Sequence, residues 1–272
     1  MNRIPITILL VVGLAISLAF PAHADRISAK AEGATHVVSG KIKQVGSYFA
    51  TNRWGDELIL SDVTVKVSRT LKGDPQDEIV FTVEGGEVAD VVLRVSTVPL
   101  FQEGEEVVLH LKRKDNRFEY LGSGDSENAA AKDKHTAKLP CCKTFASWPA
   151  SNVPFYVNPN TQDLSHQCVI AEIRSAAGAW NTALGETLLQ YAGQTDITAV
   201  SAGDQNAVFF RNDPSGSTIA VTYIWYTKKV GNITAFDMIF YDAWAYFGML
   251  QGCATTCNGG FYLQPIAAHE FG

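Results

Sequence analysis

What the chain lacks narrows its chemistry before anything it contains. No Lys/Arg cluster interrupts its 272 residues, in which 22 basic side chains stand against 28 acidic ones for a formal net charge of −6. A mildly acidic chain without a basic patch excludes nucleic acid or an anionic membrane surface as its expected partner. Cysteine is scarce and one-sided: Cys141, Cys142, Cys168, Cys253 and Cys257 all lie in the C-terminal half. Cys253-x3-Cys257 has no second pair or nearby His, so half a metal site is the weaker reading and disulfides the stronger. Cys253 can pair with Cys257, and Cys168 with Cys141 or Cys142, which leaves one thiol over. The N-terminal half shows no catalytic cluster at all.

The one long apolar run is Ile4 to Phe20, behind the positive Met1-Asn2-Arg3 and ahead of Pro21-Ala22-His23-Ala24. This reads as a secretory signal with small residues at a cleavage site after Ala24, and it predicts a secreted or periplasmic protein. The competing reading is a retained membrane anchor, since the run approaches bilayer-spanning length. The switch to Asp25-Arg26 favours cleavage. Removing residues 1–24 leaves 272 − 24 = 248 residues and, with Arg3 gone, a charge of −7. That length accommodates two domains or one large one.

Residues 25–124 read as an all-β domain, an OB-like barrel or a sandwich. Short strands over 36–45, 58–67, 79–83, 91–95, 107–111 and 118–121 recur at near-regular spacing. Val63, Val65 and Val67 share one face, and Lys72-Gly73-Asp74-Pro75 is a strong turn. Glu84, Glu87 and Asp90 beside Gly85-Gly86 offer a cation site, but acidic hairpin turns are expected to be solvated. His110 belongs to an apolar run and is expected as a packed strand residue. Residues 125–138 are small, polar and charged, without apolar period, and form a linker.

Residues 139–272 form the second domain. A strand over 153–157 is closed by Pro159, and Asp163 or Ser165 caps a helix over 168–184. Val169, Ile173, Ala176 and Trp180 recur there at helical spacing, with Trp180 as a core anchor and Gly178 marking a close approach. His166 precedes that helix as a surface residue. Strands follow over 188–191, 207–211, 219–226 and 233–242. Pro265 suits the first position of a last helix, which carries His269 and Glu270.

That order, strand, long helix, several strands, then a His-Glu helix, resembles the metzincin metalloproteases and looks most like the matrixin branch. The likeness covers about residues 145–272. It rests on Val153-Pro154-Phe155-Tyr156-Val157-Asn158-Pro159, on Ala171 to Trp180, on Ala220-Val221-Thr222 and Phe236-Asp237-Met238-Ile239-Phe240, and on Gln264 to Gly272. It implies a mixed sheet within an α+β protein and a zinc endopeptidase acting on protein or peptide substrates. The family pattern is HExxHxxGxxH followed by a methionine-containing turn. By resemblance, His269 is the first zinc ligand and Glu270 the general base. Gly272 stands one place before the second histidine's position, so the domain is expected to be C-terminally incomplete, inactive as it stands and prone to aggregate.

The resemblance implies Zn2+ as cofactor. It also raises Ca2+, for which Asp237 or Asp242 are candidates, although acids at strand ends are mostly solvated and no calcium residue is assigned. Leu139-Pro140-Cys141-Cys142-Lys143 does not match the family's latency motif. The alternative function is a catalytically inactive secreted binding module whose β domain holds a partner. Oligomeric state does not follow from the sequence.

Overall fold

The computed structural model describes residues 33–124, 145–149, 151–203, 205–213, 218–243, 245, 247–248 and 260–272. The signal segment, the linker and the cysteines at 141, 142, 253 and 257 lie outside the described residues. The chain is a mixed α+β protein dominated by sheet.

Two long strands begin it. β1 (His36–Thr51) and β2 (Glu57–Lys72) pair as an antiparallel hairpin from Val37↔Lys72 to Thr51↔Glu57. β3 (Glu78–Glu84), β6 (Glu106–Lys114) and β7 (Arg117–Gly124) join them in a closed barrel of order β1-β2-β3-β7-β6. Alternation puts Val38, Ile42, Val63, Val65, Phe81 and Leu109 into its interior. The turn after β2 needs a glycine: Gly73 has φ of +90°, and a Cβ there would meet the Thr35 carbonyl.

The barrel does not keep all its strands. β4 (Gly86–Val88) and β5 (Val91–Val95) leave it and join the sheet of the second half. Gly86 makes this exit, with φ of +141°, and a Cβ there would collide with the hydroxyls of Ser61 and Ser47. That sheet is built from β8 (Val153–Val157), β9 (Leu189–Gln194), β10 (Asn206–Arg211), β11 (Ala220–Thr227) and β12 (Ile233–Tyr241). Its full order is β4-β5-β11-β12-β10-β8-β9. β9, β8, β10 and β12 run parallel, while β11 is antiparallel to both β12 and β5. A two-stranded sheet of β13 (Phe247–Gly248) and β14 (Phe261–Tyr262) precedes the final helix.

Helices α1 (His166–Leu184) and α2 (Leu263–Phe271) cover one face of the seven-stranded sheet. Ser165 caps α1 by accepting the Cys168 N–H, and Gly185 ends it in the left-handed region at φ 72°. The barrel covers the other face. Leu58, Ile59, Leu93 and Val95 from the first half pack there with Phe209 and Trp225 from the second. β10 shows why it lies in the centre: Val208 and Phe210 face the helices, Ala207 and Phe209 the barrel, and every residue of the strand is buried.

Two local expectations change. Gly178 makes no close approach, since a Cβ there would meet nothing within 4 Å. α2 begins at Leu263, so Pro265 is its third residue, still within the first turn where an N–H has no intrahelical partner. β4 and β5 precede the stretch 125–138 in sequence yet pair with the sheet of the second half.

Candidate functional site

The last helix is fixed from three sides, and this aims Glu270. Phe271 inserts its ring between Phe155 and Phe236, with centroids 5.4 and 5.9 Å away. The Trp180 indole N–H on α1 donates to the Ala268 carbonyl at 2.6 Å. Leu263 and Ala267 are fully buried in the helix-side core. With that face committed, His269 is exposed and Glu270 turns toward β11.

There the buried Thr222 hydroxyl lies 2.7 Å from Glu270 Oε2 and 3.1 Å from the Glu270 backbone oxygen. Its single hydrogen is therefore shared between two acceptors. Ser96, one residue past β5, donates its hydroxyl to the same Oε2 at 3.1 Å. The Ser96 oxygen accepts the Thr222 N–H at 3.0 Å, and the Ser96 N–H donates to the Thr222 carbonyl at 2.9 Å. Both hydroxyls thus converge on one carboxylate oxygen. Thr222 was legible only as a strand residue, and Ser96 carried no signal, because 174 residues separate it from Glu270.

Among the described residues His269 has no companions as a metal ligand. Among the described residues no three His, Cys, Asp or Glu side chains gather into a metal-binding group. A catalytic zinc takes three protein ligands and a water, so one imidazole does not complete that set. His166 is exposed at the start of α1. Asp237, expected to be solvated, is instead 1 % exposed and accepts the backbone N–H groups of Ser201 and Ala207. Asp242 accepts the Thr161 hydroxyl. Cys168 is disulfide-bonded, and the remaining cysteines lie outside the described residues.

The acidic turn at 84–90 is solvated only in part: Glu87 is exposed, while Glu84 and Asp90 are half-buried. The Tyr223 hydroxyl donates to Glu84 at 2.7 Å, Lys228 pairs with Glu87, and Asp90 accepts the backbone N–H groups of Lys228 and Lys229. These groups dock the β4–β5 hairpin onto β11. Deeper in the same seam, Asp56 receives both terminal nitrogens of Arg211 at 2.6 and 2.7 Å, with side chains 0 % and 5 % exposed. Burial would depress the Arg211 guanidinium, but the bonds to Asp56 outweigh it and hold it above its ordinary value. Burial pushes Asp237 up to about 7 against the pull of its two N–H donors, and Tyr241 up to about 12. Burial also raises Glu84, opposed by the Tyr223 hydroxyl. The seam between the barrel and the sheet is thus a buried polar network in which acid and phenol protons are held tightly.

No family model matches the chain, and neither a curated protein nor a solved structure matches it.

Proposed function

We propose that this chain carries the base-bearing part of a matrixin-like, zinc-dependent endopeptidase that is exported and acts on protein or peptide substrates. The observation that carries the reading is the setting of Glu270. It is the residue beside His269 on a helix, in the family's His-Glu order, and its Oε2 is held by Thr222 and Ser96. The element order supports it further: α1 lies between two parallel strands, β11 is the antiparallel strand, and the His-Glu helix comes last. The closed barrel agrees with an OB-like N-terminal module.

In this reading a bound zinc supplies Lewis-acid activation of water, with His269 as one ligand and the others from residues beyond those described. The chemistry assigned to this chain's own groups stops at the carboxylate. Two hydroxyl donors fix Oε2 and leave Oε1 without a partner among the described residues. Glu270 therefore has one oxygen oriented by the protein and one whose lone pairs can receive a proton. Thr222 positions it and does not itself react.

The test starts with the gene. Its reading frame is followed past codon 272, and the complete product is assayed for zinc content and for chelator-sensitive hydrolysis of casein. One zinc per chain is expected, with hydrolysis falling about 10²- to 10⁴-fold in Glu270→Gln. A product that takes up no zinc and hydrolyses nothing sinks the reading and leaves the inactive binding module.

A further inference from the structure

The chain is acidic as a whole, yet one face of its barrel is basic. Lys112-Arg113-Lys114 is a short run in sequence, and the fold extends it. β6 and β7 are joined by the tight turn Asp115-Asn116, which fixes their register. Leu111 and Tyr120 face the barrel interior, so alternation puts Lys112, Lys114, Arg117 and Glu119 on the outside. On β2, Arg69 lies opposite Ser39 and Lys72 opposite Val37, and these two flank the inward Val38. β1 stands between β2 and β6, so the outward cations form one band across four strands. Three strand spacings make it about 14 Å wide.

Arg69, Lys72, Lys112, Lys114 and Arg117 are all exposed, and none forms an ion pair among the described residues. Other exposed cations do: Lys43 pairs with Glu78, Arg53 with Asp213 and Lys228 with Glu87. Arg113 is engaged by the Phe118 ring and the Asp115 carbonyl. Glu119, opposite Lys112, is the carboxylate within the band, and Asp74 and Asp115 stand on the bordering turns. The turn also sets Lys114 directly opposite Arg117, an arrangement of like charges that works against folding. Lys41 and Lys66 face each other too, but there Glu106 lies opposite Lys41 and Glu78 opposite Lys66. A bound anion removes the repulsion between Lys114 and Arg117, for which the described residues supply no ion pair.

We infer that this band binds a linear anionic polysaccharide, one bearing sulfate or carboxylate groups along its length. Charge complementarity selects a polyanion, because unpaired cations recur at strand spacing across an open outer surface. The surrounding side chains select the class. Unpaired bases are held by stacking on exposed rings, and a bilayer surface takes up exposed apolar side chains. The exposed rings of the barrel half, Tyr48, Phe49 and Trp54, stand at the other end of the β1–β2 hairpin, and Leu71 is the large exposed apolar residue beside the band. A polysaccharide requires neither rings nor an apolar surface. The inference is independent of zinc and of Glu270, and it gives the barrel a role of its own, holding the chain at an anionic matrix.

The experiment uses the full chain and a short fluorescein-labelled dextran sulfate, with unsulfated dextran of the same length as control, read by fluorescence anisotropy. Wild type should bind dextran sulfate at low salt and ignore plain dextran. It should release the probe in about 0.5 M NaCl, where exposed charges are screened. Lys114→Gln with Arg117→Gln should weaken binding about tenfold. By circular dichroism the same variant should melt at or above the wild-type temperature, since it deletes a repulsion; this separates lost binding from lost folding. Arg69→Gln with Lys72→Gln, on a strand outside that hairpin, should show the same loss of binding. Lys43→Gln removes an ion-paired cation outside the band and should bind as wild type does. Wild-type affinity in both double variants overturns the proposal, as does an equal loss in Lys43→Gln or no binding of dextran sulfate at all. Tighter binding of phosphatidylserine vesicles or of single-stranded oligothymidine than of dextran sulfate overturns it as well.

Discussion

At the scale of single residues, burial decides more than identity. Asp237 looks in sequence like any acid in an apolar strand, and its expected fate was solvent. Its position between β10 and the 200–201 backbone gives it two N–H donors instead, and desolvation still wins, lifting it from an ordinary 3.8 to about 7. The folded state then binds more protons than the unfolded state between those two values. Stability from this group is present at low pH and declines as pH rises from about 4 to about 7, by up to about 4 kcal/mol. Asp237→Asn does not titrate there. Urea unfolding at pH 5 and pH 8 should show wild type losing more stability than the variant between the two; parallel losses would contradict the assignment. Glu270 teaches the complementary lesson: its identity as candidate base is legible from the His-Glu pair, while the hydroxyls that orient it are not, since nothing local announces that Ser96 and Thr222 will meet it.

At the scale of elements, α1 was legible almost to its ends because periodic apolar residues and a capping side chain agree with one another. The five strands of the second half were legible for the same reason, as β-branched and aromatic runs between turns. What periodicity cannot carry is pairing. Val91 to Val95 reads correctly as a strand, yet no local pattern says that its neighbour is Tyr223 to Thr227 rather than another strand of the barrel. Trp180 is a similar case. Its spacing marks it as an anchor, but its partner is the Ala268 carbonyl 88 residues away. Trp180→Phe keeps most of the packing and deletes that donor. It should cost about 1 kcal/mol and speed amide exchange selectively in 263–271, with α1 unaffected. Uniform acceleration through both helices would show instead that the indole acts by bulk.

At the scale of the whole molecule, the two halves have their own cores and a third that they share, formed by Leu58, Ile59, Leu93 and Val95 with the barrel-facing side of the sheet. Through that shared core run Asp56 and Arg211, a charge pair with almost no solvent exposure. Breaking it from one side strands the other charge. Arg211→Met should lower stability by about 3–5 kcal/mol, and both halves should melt earlier by the same amount in one transition followed by circular dichroism. A barrel that melts unchanged while only the sheet is lost would mean that the seam does not couple them. Gly86 gives this arrangement a consequence for how such a chain can be rearranged over generations. Because the strand leaves the barrel at that residue and returns to it only at β6, the barrel cannot be gained, lost or exchanged as a portable cassette. Any recombination at the polar stretch near residue 130 would separate β11 from the neighbour it pairs with. The two halves are therefore expected to be inherited together, with changes along Val91 to Val95 answered by changes along Tyr223 to Thr227.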